Sequence, residues 1–285
     1  MGIFKSMSER MRAKRVEKVE QKSKKHSTRT EYLLNDDSPF DVTEAFRNLK
    51  ATISVSMPEK KGGVAITLTS SYPEDGKTTV TANLALMFAM SDAKVVLIDA
   101  DIRKGRIAKY FHKASSPGLS NYLSGKASLD EVMHVSPINE NLYFIPCGTH
   151  SPKPYELLES EKMTALLEEL KTKFDYIVID TPPILLVSDA IAVASKTDGT
   201  VLVCRHNLSY VSDMQRSIST LEFAKANILG LVVNDYHAPK GKSYGYGGYH
   251  SYYHYSKYSY GYGYGYGSTN PEETDSDDAE VNENK

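Results

Sequence analysis

The sequence has no tryptophan, only two cysteines and no apolar run long enough to cross a membrane. A spanning helix needs roughly 18 consecutive apolar residues, and we expect no secretory signal near Met1. Cys147 and Cys204 stand far apart, which argues against a disulfide framework and a cysteine-built zinc site. The sequence therefore predicts a protein of the reducing cytosol.

A net charge of −2 hides two oppositely charged ends. Residues 1–30 hold ten Lys/Arg and three Asp/Glu, whereas residues 271–285 hold seven acids and one Lys. The part between them is weakly acidic, which argues against nucleic acid as a partner. For the basic stretch from Arg10 to Lys25 two interpretations stay open: a solvated tail, or a contact with an anionic membrane surface or an adaptor protein.

Composition divides the chain into four regions. We predict a basic flexible segment over residues 1–38 and a globular domain over residues 39–240. Residues 241–267 consist almost only of Gly, Tyr, Ser, His and Lys, and residues 268–285 form an acidic end. Because residues 241–267 contain no aliphatic side chain, they cannot form the interior of a packed domain.

Strands and helices alternate in the globular region. Apolar runs without polar alternation predict strands buried on both faces, as in a parallel sheet covered by helices. These runs are 64–69, 94–99, 142–146, 176–180, 200–204 and 228–234, with helices over 78–90, 155–174 and 209–224. The order predicts a doubly wound α/β domain whose ligands bind beyond the carboxyl ends of the strands. With the phosphate-loop motif described next, the predicted fold is P-loop NTPase-like, with a mostly parallel sheet and helices on both faces.

A phosphate-binding loop is predicted directly after the first strand. Residues 71–78 match G-x-x-x-x-G-K-[ST] except that Ser71 replaces the first Gly. Backbone N–H groups of such a loop face an anion, Lys77 reaches the β- and γ-phosphates, and the Thr78 hydroxyl can ligate Mg²⁺. The predicted nucleotide-binding residues of the loop are Pro73, Glu74, Asp75, Gly76, Lys77, Thr78 and Thr79. The sequence therefore predicts ATP and Mg²⁺ as cofactors.

Two buried strands end in carboxylates. Asp99 and Asp101 follow one apolar run, and Asp180 follows another. A carboxylate at a buried strand end is costly unless it is paired or bound to metal. We predict that Asp180 holds Mg²⁺ or its water shell. One of Asp99 and Asp101 would assist the metal while the other accepts a proton from a hydroxyl nucleophile, and their order stays open.

These three motifs together resemble the Walker A, A′ and B motifs of bacterial protein-tyrosine kinases. The second reads Leu-Ile-Asp-Ala-Asp-Ile-Arg, ending at Arg103, and the third reads Ile-Val-Ile-Asp-Thr-Pro-Pro, ending at Pro183. The resemblance is to the stand-alone kinase of Gram-positive capsular or exopolysaccharide systems. It implies a catalytic role for Lys77, Asp99, Asp101 and Arg103, with Arg103 near the phosphates. In folds of this type Asn234 is in the position of an adenine contact.

The same resemblance implies partners and a location. It implies activation by a membrane adaptor of the polysaccharide co-polymerase type, a cognate phosphotyrosine phosphatase, and control of polysaccharide polymerisation and export. The kinase would be cytoplasmic, held at the inner face of the membrane by the adaptor.

Eleven of the 20 tyrosines lie between residues 244 and 266. A Gly-rich chain can bring one tyrosine at a time to a neighbouring active site, so we predict autophosphorylation in trans on this cluster. A sticky low-complexity segment and a stacking surface for nucleic acid or sugars are the alternatives. The predicted acceptors are Tyr244, Tyr246, Tyr249, Tyr252, Tyr253, Tyr255, Tyr258, Tyr260, Tyr262, Tyr264 and Tyr266.

An amphipathic helix is predicted at the start of the globular region, with Asp41 as its N-cap in a capping box with Glu44. Its polar side carries Glu44 and Arg47, with Lys50 on the flank. This spacing resembles the Glu-x-x-Arg-x-x-Arg motif through which these kinases form rings, with Lys50 in place of the last Arg. We therefore predict an oligomer interface there, whereas a solvated face is the alternative.

A second function class is compatible with the same fold and acids. A ParA- or MinD-like ATPase switch would hydrolyse ATP without phosphorylating protein, and a scaffold with a degenerate ATP site is a third possibility. Two features favour the kinase: the tyrosine cluster, and the lack of a Lys between Ser71 and Asp75, where such switches carry a signature Lys.

Overall fold

A computed structural model describes residues 29–57 and 62–236. In these ranges seven strands form one sheet, β1 to β7, accompanied by nine α-helices and a 3₁₀ helix over Arg29–Tyr32. The strands are Val64–Ser70, Val95–Asp99, His134–Val135, Leu142–Ile145, Tyr176–Asp180, Gly199–Arg205 and Ile228–Asn234. The helices, α1 to α9, are Phe40–Ser56, Lys77–Ala89, Ile107–Tyr110, Leu119–Leu123, Leu129–Val132, Pro154–Glu159, Glu161–Lys171, Asp189–Ala194 and Val211–Phe223.

The sheet has the strand order β3-β4-β2-β5-β1-β6-β7, and every pair except β3–β4 is parallel. β5 lies between β1 and β2, so three of the predicted site-bearing strand ends are adjacent. In β1, β2 and β5 almost every residue is buried, because helices cover both faces. The predicted P-loop NTPase-like, mostly parallel α/β fold is confirmed.

Two apolar cores lie on the two faces of the sheet. On one face α2 packs over β1, β2 and β5, and Ile53 of α1 joins the same core. On the other face Leu166 and Leu170 of α7 pack against strand residues such as Ile177. Alternate strand residues point to the two cores, which explains why the strands read as continuous apolar runs.

Two helix predictions are wrong in detail. The long helix predicted over 155–174 is divided at Ser160, whose extended backbone ends α6 and whose hydroxyl accepts the Met163 N–H to begin α7. The capping box with Asp41 is absent, because α1 already begins at Phe40 and Pro39 is its N-cap. The fixed φ of proline suits it to the start of a helix, so the chain becomes helical before Asp41.

The predicted flexible segment 1–38 is too long at its carboxyl end. Leu33 and Leu34 are buried in the core beneath α2. The side chain of Asn83 in α2 accepts the Leu34 N–H at 2.8 Å and donates to the Tyr32 carbonyl at 2.8 Å. Two apolar residues and two satisfied backbone groups fix this short stretch. Residues 1–28 lie outside the described ranges.

None of the helices in residues 29–57 and 62–236 combines the length and hydropathy that crossing a bilayer requires.

We predict that Asn83→Ala destabilises the domain by about 2 kcal/mol, because the buried Leu34 N–H loses its acceptor and the Tyr32 carbonyl loses the Asn83 donor. For a domain of this size the melting temperature should fall by about 4–8 °C, measured by differential scanning fluorimetry. The matched control is Asn48→Ala on the exposed side of α1, which makes the same change in helix propensity. Equal melting temperatures for the two variants would contradict the anchoring role of Asn83.

Candidate active site

The loop between β1 and α2 is shaped to hold an anion. Gly76 is the N-cap of α2 with a φ of 87°, and a Cβ at this position would lie 1.9 Å from the Asn234 amide nitrogen. Only glycine satisfies both the left-handed backbone and the close approach. Glu74 also has a positive φ, of 66°, while Pro73 is exposed at the loop surface. The first N–H groups of α2 therefore point out of the carboxyl edge of the sheet.

The first residues of α2 meet the end of β5. The Thr78 hydroxyl donates to Asp180 Oδ2 at 2.7 Å, and the Thr81 hydroxyl lies 3.3 Å from Oδ1. Lys77 Nζ lies 3.5 Å from Asp180 Oδ1 and 3.8 Å from Asp101 Oδ2. The predicted residues Lys77, Thr78, Asp101 and Asp180 are thus brought together in one site.

Asp99 and Asp180 are register partners on the neighbouring parallel strands β2 and β5. Asp99 is fully buried, and its carboxylate accepts N–H groups from Asp101 at 3.3 Å and Ile107 at 2.9 Å. Asp101 stands beyond the end of β2, is slightly more exposed, and accepts the Lys104 N–H at 2.9 Å. The sheet therefore places three carboxylates side by side with a single ammonium group.

This excess of negative charge changes the pKa of the acids. Burial and the neighbouring carboxylate of Asp180 raise the pKa of Asp99 to about 8. Burial also raises the pKa of Asp180, although the Lys77 ammonium and the Thr78 hydroxyl act in the opposite direction. Both shifts mean that the site favours additional positive charge.

Arg103 has a different partner from the one expected by resemblance. Its guanidinium binds Asp189 with two hydrogen bonds, from Nε at 2.7 Å and from Nη2 at 3.1 Å. Asp189 lies at the start of α8 and is fully buried, so the pair ties the segment after β2 to α8. The fork geometry explains the choice of Arg at this position.

Arg205 supports the phosphate loop. Arg205, at the end of β6, donates to the Glu74 carbonyl at 3.1 Å and pairs with Asp235 at 2.8 Å. Asn234 donates its amide to the Asp75 carbonyl at 3.1 Å. In this structure Asn234 therefore braces the loop, a role that the sequence did not indicate.

Other supports of the loop were also missed at the sequence level. The Asp75 carboxylate accepts the Ser209 hydroxyl at 2.9 Å, and Thr79 shares a hydrogen bond of 2.8 Å with the hydroxyl of buried Tyr110. The partners come from distant parts of the chain, so no local pattern could have identified them.

Cys147 lies against the same site but is not a nucleophile. A Cβ on Gly105 would be 2.5 Å from its sulfur and 2.6 Å from Asp99 Oδ2, which places the thiol beside that acid. Burial and the nearby carboxylates of Asp99 and Asp101 raise the pKa of Cys147 to about 12. The thiol is therefore protonated and unreactive at neutral pH.

The predicted interface residues lie on α1, away from this site. Arg47 forms an ion pair with Glu44 on the same helix, and Lys50 Nζ donates to the Ser91 hydroxyl at 2.6 Å. The eleven predicted acceptor tyrosines, from Tyr244 to Tyr266, lie outside the described residues.

The residues present fit Mg²⁺ only in company with a nucleotide. Within residues 29–57 and 62–236 no group of three or more His, Cys, Asp and Glu side chains could hold a metal alone. Mg²⁺ is usually bound by one or two carboxylates together with phosphates and waters. The Thr78 hydroxyl and the carboxylate of Asp180 supply such a set.

Comparison with known proteins points to one group of enzymes. Residues 52–221 match the family described as AAA domain. The chain is 35% identical over 220 residues to a putative tyrosine-protein kinase EpsB of Ralstonia solanacearum, which covers 77% of this chain and 29% of that protein. It is 33% identical over 207 residues to the tyrosine-protein kinase YwqD of Bacillus subtilis, which covers 72% of this chain and 86% of YwqD.

Solved structures of a tyrosine kinase and of a cell-division protein resemble this chain. The kinase domain of Escherichia coli tyrosine kinase ETK has a TM-score of 0.66 and 36% identity, covering 72% of this chain and 80% of that one. The septum site-determining protein MinD of Pyrococcus horikoshii, complexed with Mg-ADP, has a TM-score of 0.54 and 26% identity, covering 62% of this chain and 72% of that one. The region that matches the family, residues 52–221, contains Asp99, Asp101 and Asp180. The chain belongs to the bacterial tyrosine-protein kinase family.

Proposed function

We propose that this chain is an ATP-dependent protein-tyrosine kinase that phosphorylates its own C-terminal tyrosine cluster in trans. The observation that carries the proposal is the meeting of the three strand-end carboxylates with Lys77 directly beneath the phosphate loop. Membership of the family supports it, although the chain spans only 29% of the length of the first curated relative.

Each part of the site has a role in phosphoryl transfer. The loop at Gly76 and the N-terminus of α2 would bind the phosphates, and Lys77 would neutralise charge on the transferred group. Thr78 and Asp180 would hold Mg²⁺, which supplies further charge neutralisation on the phosphates when it is bound. Asp99 lies nearest to Asp180 in the sheet and would assist at the metal. Asn234 and the loop residues 73–75 would shape the nucleotide pocket.

Asp101 is the better of the two acids for accepting the phenol proton. It stands beyond the end of β2 and keeps 7% of its surface exposed, whereas Asp99 is fully buried and both of its carboxylate oxygens accept backbone N–H groups. A tyrosine phenol with a pKa near 10 is acidic enough for a carboxylate to act as the base. Arg103, held by Asp189, would fix the position of the Asp101 segment rather than contact the phosphates.

The kinase would act as an assembly under the control of other proteins. The Glu44, Arg47 and Lys50 face of α1 would form a homo-oligomeric ring, in which each tail meets the next active site. A membrane adaptor of the polysaccharide co-polymerase type would activate the kinase and hold it at the inner face of the membrane, and a cognate phosphatase would reverse the modification. The regulated process would be the polymerisation and export of capsular polysaccharide or exopolysaccharide.

An ATPase switch remains the second candidate function. It is favoured by the structural likeness to MinD, which has a TM-score of 0.54 and was solved with Mg-ADP. The absence of a Lys between Ser71 and Asp75 and the presence of the tyrosine cluster argue for the kinase. The two functions differ in where the γ-phosphate goes: to protein in one case and to water in the other.

We predict that Lys77→Met lowers phosphotyrosine formation at least 100-fold, because it removes the only ammonium group among the acids of the described site. The measurement is incorporation of ³²P from [γ-³²P]ATP with an antiphosphotyrosine blot. The matched control is Lys196→Met, at the opposite edge of the sheet.

A chain ending at Lys242 should bind nucleotide normally and lose self-labelling. ATP hydrolysis with no labelled protein in the wild type would favour the switch instead.

We predict that the nucleotide-free protein in EDTA loses stability as the pH rises from about 4 to 8. The folded-state pKa of Asp99, about 8, lies above its ordinary value of 3.8. The native state therefore retains a proton that the unfolded chain has lost, and ionisation favours unfolding in this window. Urea denaturation should show a loss on the order of a few kcal/mol, most of which Asp99→Asn abolishes. The exposed control Asp130→Asn should keep the wild-type slope, and a wild-type slope in Asp99→Asn would refute the assignment.

We predict that Arg47→Glu reduces the oligomer to smaller species, because it places two acids on the proposed interface. The measurement is light scattering after size-exclusion chromatography at several protein concentrations. Asn48→Glu, on the neighbouring exposed position of α1, is the control and should leave the distribution unchanged. If both variants assemble like the wild type, the interface lies elsewhere.

A further inference from the structure

Glu74 has an unusual conformation for a residue of the phosphate loop. Its φ of 66° lies in the left-handed region, which residues other than glycine adopt at a cost in free energy. It also brings a carboxylate into a loop whose backbone is shaped to hold an anion. A strained backbone of this kind persists only where the surrounding contacts hold it in place. The contacts of Glu74 therefore indicate what the residue does.

Glu74 is connected to both sides of the site. Its carbonyl accepts a hydrogen bond of 3.1 Å from Arg205 at the end of β6. Its carboxylate oxygen Oε1 lies 3.6 Å from Nη1 of Arg106, which follows β2. In the sheet, β5 and β1 separate β2 from β6. Within residues 29–57 and 62–236 neither member of the Glu74–Arg106 pair has a second ion-pair partner.

Arg106 belongs to the stretch of chain whose backbone holds two acids of the site. The Lys104 N–H donates to the carboxylate of Asp101 at 2.9 Å, and the Ile107 N–H donates to that of Asp99 at 2.9 Å. Arg106 lies between these two donors in the sequence. We call residues 99–107 the acid segment. A displacement of Arg106 therefore moves the groups that orient both carboxylates.

The chain beyond the acid segment contacts the phosphate-binding elements at a second point. The hydroxyl of Tyr110, at the end of α3, lies 2.8 Å from that of Thr79 in the first turn of α2. Tyr110 is fully buried, whereas the side chains of Glu74 and Arg106 are 17% and 38% exposed. Of the two contacts, the ion pair is the one that a substitution can remove without opening a cavity in the core.

We propose that Glu74 is a positioning residue, which through Arg106 holds the acid segment against the phosphate loop. The inference rests on the proposed kinase function for its kinetic consequence. A partly exposed ion pair contributes little to global stability, but a small displacement of a reacting group lowers the rate strongly. Loss of the pair should therefore lower kcat. Binding of the phosphates, which would depend on the loop amides and Lys77, should change little.

The first test measures the attachment of the acid segment without catalysis. Amide hydrogen exchange of the nucleotide-free, full-length protein is followed by mass spectrometry in peptides that contain residues 104–107. Glu74→Gln and Arg106→Gln should each raise the exchange rate there about 3–10-fold, because the donors to the two acids open more often. The matched control Glu169→Gln, which removes the ion pair of Glu169 with Lys173, should leave this exchange unchanged. Wild-type exchange in both test variants would overturn the proposal.

The second test measures the rate of phosphotyrosine formation. Each single variant should lower kcat about 3–10-fold and keep the KM for ATP within about twofold of the wild type. The double variant should be no slower than either single variant, since both changes remove the same contact. Arg106→Lys should retain at least about half of the wild-type rate, because a pair at 3.6 Å needs the charge and not the guanidinium fork. A double variant slowed by the product of the two single effects would contradict a shared role.

Other results would assign the residues differently. If Arg106→Gln raises the KM for ATP more than about fivefold while Glu74→Gln lowers it, Arg106 binds the phosphates directly and the proposal is wrong. If Glu169→Gln slows the reaction as much as Glu74→Gln does, the effect is one of overall charge and the proposal is equally wrong. If the wild type forms no phosphotyrosine at all, the proposed kinase fails, while hydrogen exchange still decides whether Glu74 holds the acid segment.

Discussion

The central constraint on this molecule is an uncompensated cluster of negative charge at the carboxyl ends of three adjacent strands. Asp99 and Asp180 face each other across parallel β2 and β5, Asp101 follows, and Lys77 is the one ammonium group between them in the described structure. Burying such a cluster without ligands is unfavourable. A phosphate loop that attracts anions and a carboxylate pair that attracts a cation are together compatible with the proposed metal–nucleotide complex.

The surroundings of the site limit its freedom of movement. The phosphate loop is held from three directions: by Asn234 and Arg205 at the ends of β7 and β6, by Ser209, and by Tyr110 through Thr79. The segment that carries Asp101 is held by the pair of Arg103 with buried Asp189. Pre-organised donors and acids of this kind lower the reorganisation needed during phosphoryl transfer.

The chain also separates buried acids, exposed lysines and an acidic end along its sequence. The acids of the site are buried, whereas Lys104, Lys109 and Lys113, which follow Asp101 in the sequence, are exposed. The tyrosine cluster and the acidic end lie together at the opposite end of the sequence. Phosphates added to the tyrosine cluster, as we propose, would increase the negative charge of that end of the chain.

The sequence alone determined the alternation of strands and helices, the phosphate loop and the acid-tipped strands, because these depend on local patterns of burial and spacing. It also identified the family through three motifs. It could not show that Arg103 binds Asp189, that Asn234 braces the phosphate loop at the Asp75 carbonyl, or that Leu33 and Leu34 belong to the core, since each contact joins residues distant in the chain. It misplaced the start of α1 and the break at Ser160, where proline geometry and a serine cap override helix periodicity. Only the tertiary structure decided that Asp99 is completely buried while Asp101 keeps a small exposed surface. Burial and strand register are properties of the packed sheet and not of the residues themselves.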